Sequence, residues 1–240
     1  MKNHFNLAIV IAILFVIAQV ATYSQEQNSP RKINGGMGYF MAGGQILSIG
    51  SLNTRLAERG YPKFSSTFTS IGGGGHAVVS NFIIGGEGHG IIGSDQTNER
   101  STLSLSAGYG LVDFGYIIYS KGGLSVYPLF GFGGSGLSLS ISQRTIPTFD
   151  EVIDSLKGHV ELSTGSFLLH FAIGADYLFT FGKQEDSRGG LVIGLRIGAT
   201  FTPVAGDWKL DEIKVANGPS VGINGVYLRL MFGGGGVSWK

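Results

Sequence analysis

Between about residues 164 and 181, apolar and other residues alternate almost without a break. Phe167, Leu169, Phe171, Ile173, Ala175, Tyr177, Phe179 and Phe181 fall on one parity, with Ser166, Leu168, His170, Ala172, Gly174, Asp176, Leu178 and Thr180 on the other. A period of two held this long dictates an extended strand with unlike faces, one oily and ending in aromatics. Residues 190–203 repeat the pattern, setting Leu191, Ile193, Leu195, Ile197 and Phe201 against Val192, Gly194, Arg196, Gly198 and Thr200. Near the end, Val226, Leu228, Leu230 and Phe232 oppose Tyr227, Arg229 and Met231.

Eight such runs are predicted, at about 36–48, 69–79, 82–92, 102–118, 124–142, 164–181, 190–203 and 223–236. Several exceed the usual ~5–6 residues and reach the ~9–11 that a tilted membrane-crossing strand needs. Leu103 and Leu105 share parity with Asp113, which predicts a bulge near Gly108–Val112. The connections alternate in length: short after the second, fourth and sixth runs, mostly long after the others. An even strand count with short turns at one rim and long loops at the other predicts an all-β fold. It is an eight-stranded antiparallel up-and-down transmembrane barrel over residues 35–240, with periplasmic turns and extracellular loops carrying short helices.

A soluble lipocalin-like barrel would also have eight strands, with the oily face turned inward. The predicted strands carry only five charges, Glu87, Asp113, Asp176, Arg196 and Arg229, where a water-facing exterior would carry many. Five charges suit the lumen of an eight-stranded barrel, which is just wide enough for side chains to fill. With Ser80-Asn81 as the first turn, His76 opposes Gly85, Glu87 opposes Gly74 and His89 opposes Gly72. Large polar groups set against glycines are how a narrow interior is packed. His76, Glu87, His89, Asp113, His170, Asp176, Arg196 and Arg229 are therefore predicted to form a lumen network that leaves no continuous water path. Strand-end aromatics, including Tyr39, Phe40, Tyr116, Tyr119, Tyr127, Phe179, Phe201 and Tyr227, are candidates for interfacial girdles where they share the oily parity, and others fill the lumen.

The first residues read as an export signal. Lys2 is followed by the apolar run Leu7–Ile17 and by small residues up to Ser24, which predicts a signal peptide over 1–24 and a polar lead-in over 25–34. The alternative, an uncleaved anchor, has an apolar run shorter than the ~20 residues of a spanning helix. Without Lys2 the chain has sixteen bases against sixteen acids, so no basic surplus exists for nucleic acid. Zero cysteines exclude disulfide scaffolds, thiol catalysis and a Cys-linked lipid anchor.

Chemistry-bearing motifs are sparse. The runs Gly72–Gly75 and Gly233–Gly236 lack the Lys-Ser/Thr and helix of a phosphate loop. His76, His89 and Glu87 offer metal-ligand types, but their glycine-rich strand pair favours hydrogen bonding, so no metal or cofactor is expected. His159 reads as a solvated loop residue. Ser166 and His170 lie about 13 Å apart along one strand, too far for a nucleophile and its base. The long loops hold helix signals: Ser51 before Leu52 and Leu56, and Thr148 with Glu151 before Val152 and Leu156. Tyr61, Phe64, Phe149 and Trp208 are the loop aromatics best suited to recognition, or alternatively to packing over the barrel mouth.

With these strands and loops, residues 35–240 resemble the small eight-stranded outer-membrane barrels, porin-like, glycine-rich proteins with a signal peptide and a mature N-terminal Gln found in Bacteroidetes-like bacteria. The resemblance implies residence in the outer membrane, contact with its lipid, and delivery by the assembly machinery that reads the terminal strand, where Trp239 stands. The expected function is non-enzymatic: a closed barrel displaying loops for envelope integrity, adhesion or binding of an extracellular ligand. A lipid-modifying enzyme, a narrow solute conduit and a secreted lipid binder are the alternatives.

Overall fold

The structure, a computed structural model, describes residues 32–144, 159–180 and 187–239. The export signal, the helix signal at 148–156 and Phe149 lie outside the described residues. Eight long strands are present: β1 (Ile33–Leu47), β2 (Thr67–Val79), β3 (Phe82–Ile92), β4 (Ser101–Tyr116), β5 (Leu124–Gln143), β6 (His159–Thr180), β7 (Ser187–Phe201) and β8 (Gly225–Trp239). Each pairs antiparallel with the next, and β8 returns to pair with β1, so the sheet closes on itself. Following paired residues once around, from Gly35 through Val78, Ile83, Gly115, Leu129, Ala172, Gly198 and Tyr227, arrives at Gln45. That shift of ten residues corresponds to a strand tilt of about 40°.

Local chemistry fixes the turns. Ser80 and Asn81 both have positive φ (50° and 72°), the conformation of a two-residue hairpin turn whose twist matches the strands. Asn81 Oδ1 accepts from the Ile33 amide at 2.8 Å, and the Asn81 amide donates to the Ile33 carbonyl at 3.0 Å, so this turn also holds the start of β1. In the next turn Tyr119–Lys121 pairs with Leu124–Val126 around Gly122-Gly123.

The expected bulge is absent: pairing of β4 with β3 and with β5 runs in unbroken register through Gly108–Val112. Leu103 and Leu105 share a face with Asp113 because the interior itself changes from polar to apolar toward the loop end. There Leu47, Phe68, Ile91, Leu103, Leu105, Leu137, Leu139 and Leu168 point inward and are buried. They pack against helix α1 (Gly50–Glu58), through Leu52 and Leu56, and against Phe64, Trp208, Val221 and Ile223 from the connections. The helix begins after Ile49 without a side-chain cap. Ser51, expected as that cap, lies in the first turn and donates to the Ser220 carbonyl at 2.9 Å, tying the first loop to the last.

The outer face is apolar from strand to strand, with Phe40, Ile84, Phe114, Phe132, Phe171, Ile173, Leu195, Ile197, Leu228 and Leu230 exposed. This orientation overturns the secreted lipocalin-like alternative, which needs the oily parity inside. Tyr39, Tyr127 and Tyr227 turn into the lumen, while Phe40, Tyr116, Tyr119, Phe179 and Phe201 face out.

Candidate functional site

The middle of the lumen is a polar layer contributed by all eight long strands. Pairing of β2 with β3 sets Gly72, Gly74 and Gly85 opposite His89, Glu87 and His76, as the Ser80-Asn81 turn requires. A side chain on Gly74 would collide with Glu87, and one on Gly85 with His76, so these glycines are the space the larger groups use. Glu87 is the centre. Arg196 forms an ion pair with its Oε2, Arg229 Nη1 lies 4.0 Å from Oε1, and His89 Nε2 lies 3.3 Å from Oε1.

Both arginines are fully buried and are held by more than charge. Arg229 donates to Gln45 Oε1 at 2.8 Å and to the Tyr109 hydroxyl, and its guanidinium lies 3.7 Å from the Tyr227 ring centroid. Gln45 passes the chain on, donating to Thr200 Oγ1 at 3.1 Å. Arg196 reaches the Tyr127 hydroxyl at 3.4 Å and faces the Tyr39 ring. Cation–π contact and donation to several partners suit arginine rather than lysine at such positions.

The remaining predicted residues form two satellites. His170 Nδ1 lies 2.9 Å from Asp113 Oδ1 and its Nε2 lies 2.5 Å from the Tyr227 hydroxyl. With a proton on Nδ1 the ring donates to the carboxylate. Asp176 accepts from the Tyr127 hydroxyl. His76 stands apart from Glu87 and His89, with its ring against Tyr39 and Tyr127 at 5.6 and 5.8 Å. The donor atoms that approach one another within 4.8 Å belong instead to Glu87, Asp113 and His170. Both nitrogens of His170 are engaged there and Glu87 is claimed by arginines, so the grouping works as an ion-pair and hydrogen-bond network. Sequence reasoning missed Tyr109, Gln45 and Thr200 as partners. Their inward parity was the available signal.

Phe64 and Trp208, expected as exposed recognition aromatics, are instead buried in the loop-end plug. Trp208 Nε1 donates to the Pro219 carbonyl at 2.7 Å, and Asn53 exchanges two hydrogen bonds of 2.9 Å with the backbone of Phe64. Apolar rings of this size contribute more when desolvated against leucines than when held in water. Tyr61 packs half-buried against the same cluster.

On the outer wall the sheet continues past the apolar belt. Strands β5 and β6 run 20 and 22 residues. Beyond Phe132 and Phe167 their outward residues are Gly134, Gly136 and Gly165, then Ser138, Ser140, Ser142, Ser163, Glu161 and His159. His159 is therefore the first residue of a strand: its Nδ1 lies 3.0 Å from Ser142 Oγ and 3.4 Å from Ser140 Oγ, and Ser138 donates to Glu161 at 2.5 Å.

An oily exterior around a charged, filled interior decides the kind of fold. This is an outer-membrane-type barrel. No family model matches the chain, and no curated protein matches it. Among solved structures it is similar to the outer membrane protease OmpT from Escherichia coli, at 11% identity, covering 89% of this chain and 99% of that chain, with a TM-score of 0.21. At that TM-score the likeness carries no argument about what this barrel does.

Proposed function

We propose that this barrel resides in the bacterial outer membrane, exported by a signal over residues 1–24, and acts without enzymatic chemistry as a sealed platform that displays its loop-end surface. The carrying observation is the combination of a lipid-ready outer belt with a lumen filled at two levels, by the Glu87 network and by the apolar plug. A filled interior favours display over transport. The β5–β6 wall, with its row of hydroxyls above the belt, is the surface best placed to meet polar material outside the lipid, in envelope integrity, adhesion or ligand binding. In this orientation the Ser80-Asn81 and Gly122-Gly123 turns face the periplasm and α1 lies near the outside.

The test is topological. An epitope inserted after Gly206 should be labelled by antibody in intact cells, one between Gly122 and Gly123 only after permeabilisation, and the protein should give a heat-modifiable band in the outer-membrane fraction. Labelling in the opposite sense, or recovery as a soluble protein, overturns the reading.

A second reading, a lipid-modifying enzyme, draws on His159 beside Ser142 and Ser140. Its cost is exposure: these groups stand on a flat, solvent-exposed face, whereas catalytic donors gain their strength in a water-excluded site. Ester hydrolysis abolished by His159→Ala would favour this reading over display.

A further inference from the structure

Three asparagines in the chain are followed by glycine, at 34–35, 217–218 and 224–225. In such a pair the glycine amide nitrogen can attack the side-chain carbonyl carbon of the asparagine, because glycine has no side chain to obstruct the approach. Structure decides which of the three can react. Asn34 Oδ1 accepts from the Ser80 amide at 3.0 Å, and Gly35 is paired with Val78 and Val237 inside β1. Asn224 Oδ1 accepts from the Thr202 amide at 2.6 Å, and Gly225 is paired with Leu47 and Thr200. A side chain and an amide held in this way meet only when the wall opens locally.

Asn217 is placed differently. It is exposed, outside any strand, and in a left-handed conformation with φ 59°. Among the described residues neither its side-chain amide nor the Gly218 amide makes a hydrogen bond. The backbone around the pair is nevertheless anchored. Arg55 of α1 donates to the Asn217 carbonyl at 3.3 Å, and Trp208 donates to the Pro219 carbonyl at 2.7 Å. The two reacting groups are therefore free, and a guanidinium stands at the main-chain carbonyl oxygen between them.

We propose that Asn217 is a site of spontaneous covalent modification, converting to an isoaspartate whose new carboxylate pairs with Arg55. The Gly218 nitrogen loses its proton and bonds to the Asn217 side-chain carbonyl carbon, and the side-chain nitrogen leaves as ammonia. Water then adds to the Asn217 main-chain carbonyl carbon, whose bond to the Gly218 nitrogen breaks. The chain now runs through the former side chain, and the former main-chain carbonyl is a free carboxylate. No oxidant or cofactor enters: asparagine and water become isoaspartate and ammonia. That carbonyl oxygen is the atom Arg55 already meets, so the guanidinium favours attack of water at this carbon over attack at the other, which gives aspartate. A neutral hydrogen bond between α1 and the β7–β8 connection becomes a charged one.

The test ages the purified full-length protein in mildly alkaline buffer with a nonionic detergent, reading its peptides by mass spectrometry and by methyl labelling with an isoaspartate-specific methyltransferase. Asn217 should convert about tenfold or more faster than Asn34 and Asn224 in the folded barrel, and the three rates should approach one another in a chain unfolded in urea. Asn217→Gln should remove the label. Arg55→Gln should lower the ratio of isoaspartate to aspartate by about twofold, the size an exposed charge supports, and the unfolded chain, in which Arg55 is released, should show the same lowered ratio. Conversion at 217 no faster than at 34 and 224 in the folded protein, or one ratio shared by wild type, Arg55→Gln and the unfolded chain, overturns the proposal.

Discussion

At the loop end the barrel interior is leucine packed against α1, Phe64 and Trp208, whereas a few residues further along the same strands it is Glu87, Arg196 and Arg229 held among tyrosines. Both regions occupy the inward parity, and both exclude water, yet they tolerate error differently. The apolar region is additive: each ring or methyl contributes its own burial, and losing one leaves a cavity. The charged region is conditional, because its members are favourable only together and removing one strands another in a dry interior. The connections follow the same division. Loop residues enter the apolar layer, where contact needs no fixed partner, while the charged layer is made from strands alone, whose register fixes each atom.

Arg196→Ala probes the sharpest edge of that contrast. It removes the closest ion pair of Glu87, leaving only Arg229 at 4.0 Å and His89 at 3.3 Å, and should cost about 3 kcal/mol in urea unfolding of the lipid-inserted protein. Adding Glu87→Gln should recover part of the loss. No recovery would mean that the arginine acts through packing on Tyr39 and not through charge.

Trp208→Ala tests the other region, with an expected loss of about 3 kcal/mol. Planar-bilayer recordings of this variant should remain without large steady conductance, because the Glu87 layer still fills the lumen. A channel opened by Trp208→Ala would show that the apolar plug alone keeps the barrel shut.

Leu105→Ser places the chemistry of one region in the other and should cost about 1–3 kcal/mol more than Leu105→Ala, through an unsatisfied buried hydroxyl. A neutral result by the same unfolding measurement would erase the distinction between the regions. The smallest effect is expected outside. A side chain on Gly136 would meet nothing within 4 Å, so Gly136→Ala should stay within about 0.5 kcal/mol of wild type. A larger loss at Gly136 would mean that the outward glycines also answer to packing.

Strand number, closure and facing were legible in the sequence because the period of two is a direct imprint of a sheet with unlike sides. The His76–Gly85 and Glu87–Gly74 pairings followed from a single two-residue turn. The bulge was misread because one parity was assumed to keep one chemistry along its whole length, and the leucines at 103 and 105 mark the change of layer instead. Trp208 and Phe64 were misplaced for a related reason: loop position suggests exposure, but a loop that folds over an open mouth becomes core. The partners of the charged groups were hidden because Arg229 and Tyr109, or His170 and Tyr227, meet across the lumen, and register along adjacent strands says nothing of contacts through its middle.

Where β1 meets β8, the pairs nearest the turn end include Gly36 with Gly236 and Gly38 with Gly234, and the pairing joins residues as far apart as Ile33 and Trp239. Like Gly73 with Gly88 and Gly110 with Gly134 on other seams, these glycine pairs are backbone against backbone, without cross-strand side-chain contacts. They also demand the largest loop closure in the chain, so contacts elsewhere in the wall are reached at lower entropic cost. The cylinder consequently has a zip: the line along its wall whose fastening demands the greatest loss of chain entropy.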